Sequence, residues 1–305
     1  SLSHSQNSTE SSPIVHLPIY PGDYDCQITF IIRDINMGKT VTQEELEAGR
    51  GYESLFVPAL FARWTRHVIE GAGVREGSHV LDIACGSGVL ARDTLSQVGS
   101  SGRVVGVDPA PGMIAAAREV ETEIQWVLGN AEELEFNDAT FDCVVSQFGM
   151  MFFMDKNAAA NEMIRVLKPG GRLAVAVWNS IDNNPAYGDI IAVLDEQVST
   201  AAGDALRLPY SFGDTDEVTN VFTQAGFKDL RVETKSEQAV FPGSRTMVEA
   251  ELRGWLPLFD IHLNEEKIAD VLVQSDDKLS RYASETGEAV FPTSAHIVSG
   301  RKPLA

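Results

Sequence analysis

The stretch Val80-Leu-Asp-Ile-Ala-Cys-Gly-Ser-Gly-Val-Leu-Ala91 decides how this chain is read. An apolar run ends in a tight Gly-x-Gly turn, and an amphipathic segment follows at once. That order predicts a strand, a glycine-rich loop and a helix start. Glycines let a backbone approach a ligand closely, and the unpaired N–H groups of a new helix face it. The spacing Gly86-x-Gly88-x-x-Ala91 also fits the dinucleotide fingerprint in its Gly/Ala form. Asp82 argues for a different ligand. An ionised carboxylate inside an apolar run is costly unless something there needs it. A dinucleotide has no use for it, whereas a ligand with a positively charged amino group beside the glycine turn does. Twenty residues beyond Gly88, Val104-Val-Gly-Val-Asp108 is a second short apolar strand ending in an acid. A carboxylate that takes both ribose hydroxyls is expected there.

Working outward, four more segments follow in order. Asp82-x-Ala84-x-Gly86-x-Gly88 resembles motif I of the class I S-adenosylmethionine (SAM) methyltransferases, with Ala84 where that family often has glycine. Gly106-Val-Asp108-Pro-Ala-Pro-Gly-Met113 resembles the following acidic loop, and Gly129-Asn-Ala-Glu-Glu-Leu134 the adenine-contacting segment. Phe141-Asp-Cys-Val-Val-Ser-Gln147 resembles the fourth strand, and Arg165-Val-Leu-Lys-Pro-Gly-Gly-Arg-Leu173 the turn before the fifth. Within the class the pattern is most similar to the small-molecule branch that includes ubiquinone/menaquinone-type enzymes. The resemblance implies an α/β fold, a doubly wound, Rossmann-like, mostly parallel seven-stranded sheet with an antiparallel last hairpin and helical insertions. It implies SAM as cofactor and S-adenosylhomocysteine as product. Asp82, Ala84, Gly86 and Gly88 would surround the amino-acid portion, and Asp108 with Pro109 the ribose. Met113, Asn130, Ala131 and Glu132 would surround adenine, and Gln147 would sit near the methyl group.

The totals bound the partners. The 305 residues hold one large domain or a domain with a cap, and 44% hydrophobic and 22% charged residues are ordinary for a globular protein. A net charge of −20 is not ordinary, and it argues against nucleic acid and anionic membrane surfaces. Cys26, Cys85 and Cys143 are few and unpaired in spacing, which reads as reduced thiols in a cytoplasmic protein. No apolar run reaches the ~20 residues that span a bilayer. Residues 1–12, rich in serine, read as a disordered lead, and Asn7-Ser-Thr9 as a chance glycosylation sequon.

Residues 13–50 read as an N-terminal extension, with a hairpin around Pro21-Gly22 and a capping-box pattern at Thr42-Gln-Glu-Glu45. Its role is unassigned, with completion of a homodimer interface and closure over the site both open. From residue 52 to 70, Tyr52, Phe56, Leu60, Trp64 and Val68 recur every four positions, one stripe of an amphipathic helix. Residues 51–180 then form the SAM-binding core, 181–213 a cap insertion with a helix over 190–202, and 214–305 the rest of the sheet with a helical lid at 244–283. Phe56, Phe148, Met151, Trp178 and Tyr187 are the expected acceptor wall.

Because the methyl group of SAM leaves an already activated sulfonium, the protein has mainly to align the reactants and exclude water. Such orientation supplies roughly 7–11 kcal/mol. No HExxH or GxSxG pattern is present, and Ser146-Gln-Phe-Gly149 stands where amino-methylating nucleic-acid enzymes carry Asp/Asn-Pro-Pro-Tyr/Phe. This favours a small, apolar or ring-bearing acceptor, with O, N, S and C methylation all open. Tyr52, His67, Tyr187 and His262 are the candidates for a general base. Two other readings stay open, an NAD(P)-dependent oxidoreductase and a SAM-binding scaffold without turnover.

Overall fold

Strand β1 (His79–Ile83) is apolar on both faces, with Val80, Leu81 and Ile83 fully buried, as a central strand of a parallel sheet must be. The structure, a computed structural model, describes residues 41–304. The lead at 1–12 and the hairpin around Pro21-Gly22 lie outside the described residues. The other strands are β2 (Arg103–Asp108), β3 (Gln125–Leu128), β4 (Phe141–Gln147), β5 (Leu167–Trp178), β6 (Lys228–Phe241) and β7 (Ala289–Arg301). Their order is β3-β2-β1-β4-β5-β7-β6, seven strands in one sheet. β1 to β5 pair in parallel, and β7 runs antiparallel between β5 and β6. This is the doubly wound sheet that the resemblance implies. Strand order reverses between β1 and β4, and open parallel sheets bind ligands at the carboxyl ends flanking such a reversal.

The helices are α1 (Gln43–Gly51), α2 (Thr65–Ala72), α3 (Val89–Val98), α4 (Pro111–Val120) and α5 (Lys156–Val166), then α6 (Pro185–Gln197), α7 (Thr200–Arg207), α8 (Thr215–Gln224), α9 (Ser244–Ala250) and α10 (Glu265–Leu279). Thr42 caps α1 in a full capping box with Glu45. α1 lies on α4 with backbone touching backbone. A Cβ on Gly49 would fall 2.5 Å from the Gly112 carbonyl oxygen, and one on Gly112 would fall 2.1 Å from that of Glu45. Arg50 and Glu119 close the contact with a two-pronged ion pair.

Three stretches differ from the sequence expectation. The stripe from Tyr52 is helical throughout, but Tyr52–Phe61 is π-helical and Ala62–Trp64 is a 3₁₀ turn before α2. Pro58 lies inside the π segment and has no N–H to give to the preceding turn, so a regular α-helix cannot run through it. The helix expected over 190–202 breaks after Gln197, because the Ser199 hydroxyl accepts the Ala202 N–H and starts α7. The segment following Gly243 is α-helical only to Ala250. It continues as a π-helical turn, Glu251–Trp255, and a 3₁₀ turn, Leu256–Phe259.

α6 and α7 pack together, α10 lies on α6, and the Trp255 Nε1–H donates to the Ala205 carbonyl at 2.8 Å. Residues 185–207 and 244–279 therefore form one helical layer.

Candidate active site

β1 delivers Asp82 and Ile83 to the strand-order reversal, and the chain turns at once through Ala84–Gly88 into α3. The turn needs left-handed backbone at three places, Ala84 (φ 56°), Gly86 (φ 55°) and Gly88 (φ 96°). Glycine adopts this freely and alanine at some cost. The two glycines face different ways. A Cβ on Gly88 would meet the Trp126 ring at 2.3 Å, so Gly88 makes room for the protein's own indole. Gly86 faces the Tyr52 ring, 3.8 Å from an added Cβ.

A cleft of about 320 Å³ opens here, lined by Asp82, Ala84, Gly86, Ser87 and Gln147 and walled by Tyr52 and Phe61. Asp82 is 1% exposed, and neither carboxylate oxygen has a hydrogen-bond partner among the described residues. Burial first and the charge of Asp108 second hold its pKa well above the ordinary carboxylate value. Ser87 Oγ and Gln147 Oε1 are likewise buried without a partner among the described residues, while Gln147 Nε2 donates to the Phe61 carbonyl at 3.2 Å.

A second recess of about 240 Å³ lies past β2 and β3, lined by Val107, Val127, Gly129, Asn130, Leu134 and Phe136. Asp108 stands between the two. Its Oδ2 accepts the Gly86 N–H and its Oδ1 the Ala110 N–H, both at 2.8 Å, and its main-chain carbonyl accepts the Gly129 N–H. Burial raises its pKa to about 6 despite those two backbone donors.

The remaining candidate residues are scattered around this frame. Pro109 and Met113 are half-buried, Met113 in the first turn of α4, and neither lines a recess. Ala131 is buried, and Glu132 accepts the Met154 N–H at 2.8 Å, tying down the 148–154 loop. Met151 is buried in the core. Phe148, itself left-handed at φ 57°, lies flat on Trp178 with ring centroids 3.8 Å apart. From the cleft an aromatic series runs Tyr52, Phe61, Trp178, Tyr210, Tyr187, each ring 5.3–6.4 Å from the next. Phe56 stacks on Tyr52 from the other side. Trp64 meets both Phe148 and Trp178 edge-on.

Of the four candidate bases, two stand away from the cleft. His67 Nε2 is 2.7 Å from Glu237 Oε1 on β6, a carboxylate that Arg66 shares. The His262 side chain is 68% exposed beside Asp260. Tyr52 walls the cleft, and burial first, then the charges of Asp108, Glu53 and Glu251, raise its pKa. The Tyr187 hydroxyl donates to Glu251 Oε1 at 3.2 Å. Sequence reasoning missed Phe61, Ser87, Tyr210 and Glu251. Ser87, between the two glycines, was the one with a readable local signal.

Two unpartnered carboxylate oxygens facing a cleft beside a glycine turn fit the ammonium of the methionine portion of SAM. With the ammonium there, Asp108 would stand where a carboxylate can accept ribose hydroxyls, and the second recess would lie on the adenine side. Once bound, SAM supplies an activated methyl group. Among the described residues no group of three or more His, Cys, Asp or Glu is arranged to hold a metal ion. No helix of the described residues is long and apolar enough to cross a membrane.

Solved structures with the same fold include phosphoethanolamine N-methyltransferase 2 of Haemonchus contortus in complex with S-adenosyl-L-methionine (TM-score 0.53, 17% identity, 87% of this chain and 61% of that one). The YcgJ protein of Bacillus subtilis is another (TM-score 0.52, 18% identity, 80% and 99%). They share with this chain the Rossmann-like fold of SAM-dependent methyltransferases. The model of the ubiE/COQ5 methyltransferase family matches residues 54–240, and the chain belongs to that family. It is 36% identical over 183 residues to the ubiquinone/menaquinone biosynthesis C-methyltransferase UbiE of Cronobacter sakazakii, covering 55% of this chain and 73% of that protein. To the Haemophilus ducreyi protein of the same name it is 44% identical over 187 residues, covering 55% and 71%.

Proposed function

We propose that this methyltransferase places the methyl group on a ring carbon of a small hydroxylated aromatic acceptor of the quinol type. The observation that carries the reading is the aromatic series that leaves the cleft at Tyr52 and continues through Phe61, Trp178 and Tyr210. Tyr52 and Phe61 wall the cleft itself, and a flat ring stacks on them. Curated relatives named as C-methyltransferases of quinone biosynthesis support the choice of carbon as the methylated atom. The whole-chain charge of −20 supports a small molecule over nucleic acid. The buried free thiols of Cys85 and Cys143 support a cytoplasmic setting.

The test is turnover with SAM carrying a trideuterated methyl group. Acceptors are 1,4-dihydroxynaphthalene, its mono-O-methyl ether and a primary amine of similar size. Deuterated methyl on a ring carbon, located by NMR of the product, is the expected result. Label on oxygen or nitrogen would overturn the reading.

A further inference from the structure

The most conspicuous buried ionisable group outside the cofactor cleft is Glu251. It is 5% exposed, and it lies past residue 240, beyond the part of the chain that the family model matches. Its hydrogen bond with Tyr187 ties it to the aromatic series, in which the Tyr187 ring lies 5.7 Å from that of Tyr210. Tyr187 on α6 donates to its Oε1, Tyr210 follows α7 in the cap, and Tyr52 comes from the cleft wall. The Glu251 charge acts on all three, raising the pKa of each after burial has done so. Tyr52 and Glu251 are also the first residues of the two π-helical segments of the described chain. Such segments are rare and frequently mark functional sites. From Tyr187 the rings continue through Phe291, Phe241 and Phe56 back to Tyr52, with neighbouring centroids 5.8–6.2 Å apart, so the hydroxyl that donates to Glu251 belongs to a closed circuit of rings that includes the cleft wall.

A ring carbon becomes a nucleophile when a hydroxyl on the same ring loses its proton. We propose that Glu251 is the base that takes this proton from the bound acceptor, with Tyr187 as the positioning residue for its carboxylate. The inference rests on the quinol-type reading above. In the step the acceptor O–H bond breaks and the proton goes to a Glu251 oxygen. The oxygen's electron pair moves through the ring to the carbon that forms the new bond to the methyl group, and sulfur keeps the pair of the broken S–C bond. Loss of the hydrogen on that carbon as a proton to water restores the aromatic ring. A base suited to this task titrates near neutrality. Burial raises the Glu251 pKa to about 7 against the lowering effect of the Tyr187 hydrogen bond.

The experiment compares full-length wild type with Glu251→Gln and Tyr187→Phe, using 1,4-dihydroxynaphthalene as acceptor. Calorimetric binding of S-adenosylhomocysteine and melting temperature against pH are measured alongside. Glu251→Gln is expected to lower kcat at neutral pH by about 100-fold or more, the low end for a lost general base. It should leave S-adenosylhomocysteine affinity within twofold and abolish the acid limb of the kcat profile. Activity should partly return at high pH, where the quinol ionises unaided. Tyr187→Phe removes a hydrogen bond that favours the ionised form, so its acid limb moves to higher pH with Glu251 still working. A purely structural Glu251 would lower the melting temperature and leave both profiles in place, and that result overturns the inference. So does full kcat in the Gln variant. If wild type does not methylate 1,4-dihydroxynaphthalene at all, the acceptor class itself fails, and the inference with it, which is a different and recognisable result.

Discussion

Replacing Asp82 by Asn should stabilise the apoprotein as pH rises and weaken cofactor binding. Asp82 is a carboxyl group buried in the middle of the sheet, in register with Gly106 and Val145, with no partner for either oxygen among the described residues. Its raised pKa means the folded chain keeps a proton that the unfolded chain has already lost. Stability therefore falls as pH rises from the unfolded carboxylate value to the raised folded one. Each such group contributes at most about 1.4 kcal/mol per pH unit. Asp108 and Glu251 are raised for the same reason, to about 6 and about 7, and Asp82→Asn should remove the Asp82 slope while leaving theirs. Stability from urea titrations at several pH values between 5 and 9 reads the difference, which should widen with pH and favour the variant. The same substitution removes the carboxyl group that would ionise opposite the ammonium of bound SAM. A hydrogen bond to a charged group contributes about 1.5–3 kcal/mol, so affinity for S-adenosylhomocysteine should fall roughly 10- to 100-fold. A variant with the wild-type pH slope, or with undiminished affinity, would refute the assignment of Asp82 as the buried counter-charge.

Three further substitutions probe the frame of the cleft. Asp108→Ala should weaken S-adenosylhomocysteine binding at least tenfold, about the loss of one charge-assisted hydrogen bond, as read by calorimetry. It also leaves the Gly86 and Ala110 N–H groups without their acceptor, so a lower melting temperature should accompany it. Gly149→Ala would put a Cβ 2.5 Å from that of Ala84 and 3.1 Å from Ser146 Oγ, at a cost of about 1–3 kcal/mol. Ala84→Gly removes the obstruction and relaxes a left-handed alanine, so the double variant should regain much of that loss. Additive melting shifts in the cycle would show that the two residues do not press on each other.

The sheet and the glycine turn at its centre were legible because their signals are local. The run Val80–Ile83, the turn at Gly86 and Gly88, and Asp108 at the end of the next strand each sit within a few residues of what they do. The capping oxygen of Thr42 is local in the same way. Ser199 carried such a signal too, and the apolar periodicity across it masked the helix break. What was illegible depends on distant neighbours. Gly88 looks like a ligand-side glycine until Trp126, thirty-eight positions on, is seen beneath it. His67 sits one position off the stripe, and only the pairing of β6 in the sheet reveals Glu237 as its partner. Glu251 is one of 44 acidic residues, and only the packing of the cap and lid removes it from water.

The most direct test of the central claim is to map the cofactor across the two recesses by backbone amide NMR, titrating S-adenosylhomocysteine and then its halves. The account predicts that adenosine shifts Gly129 and Asn130, homocysteine shifts Gly86 and Ser87, and the whole molecule shifts both sets together with Ala110 beside Asp108. Shifts confined to one recess, or the same set for both halves, would contradict it.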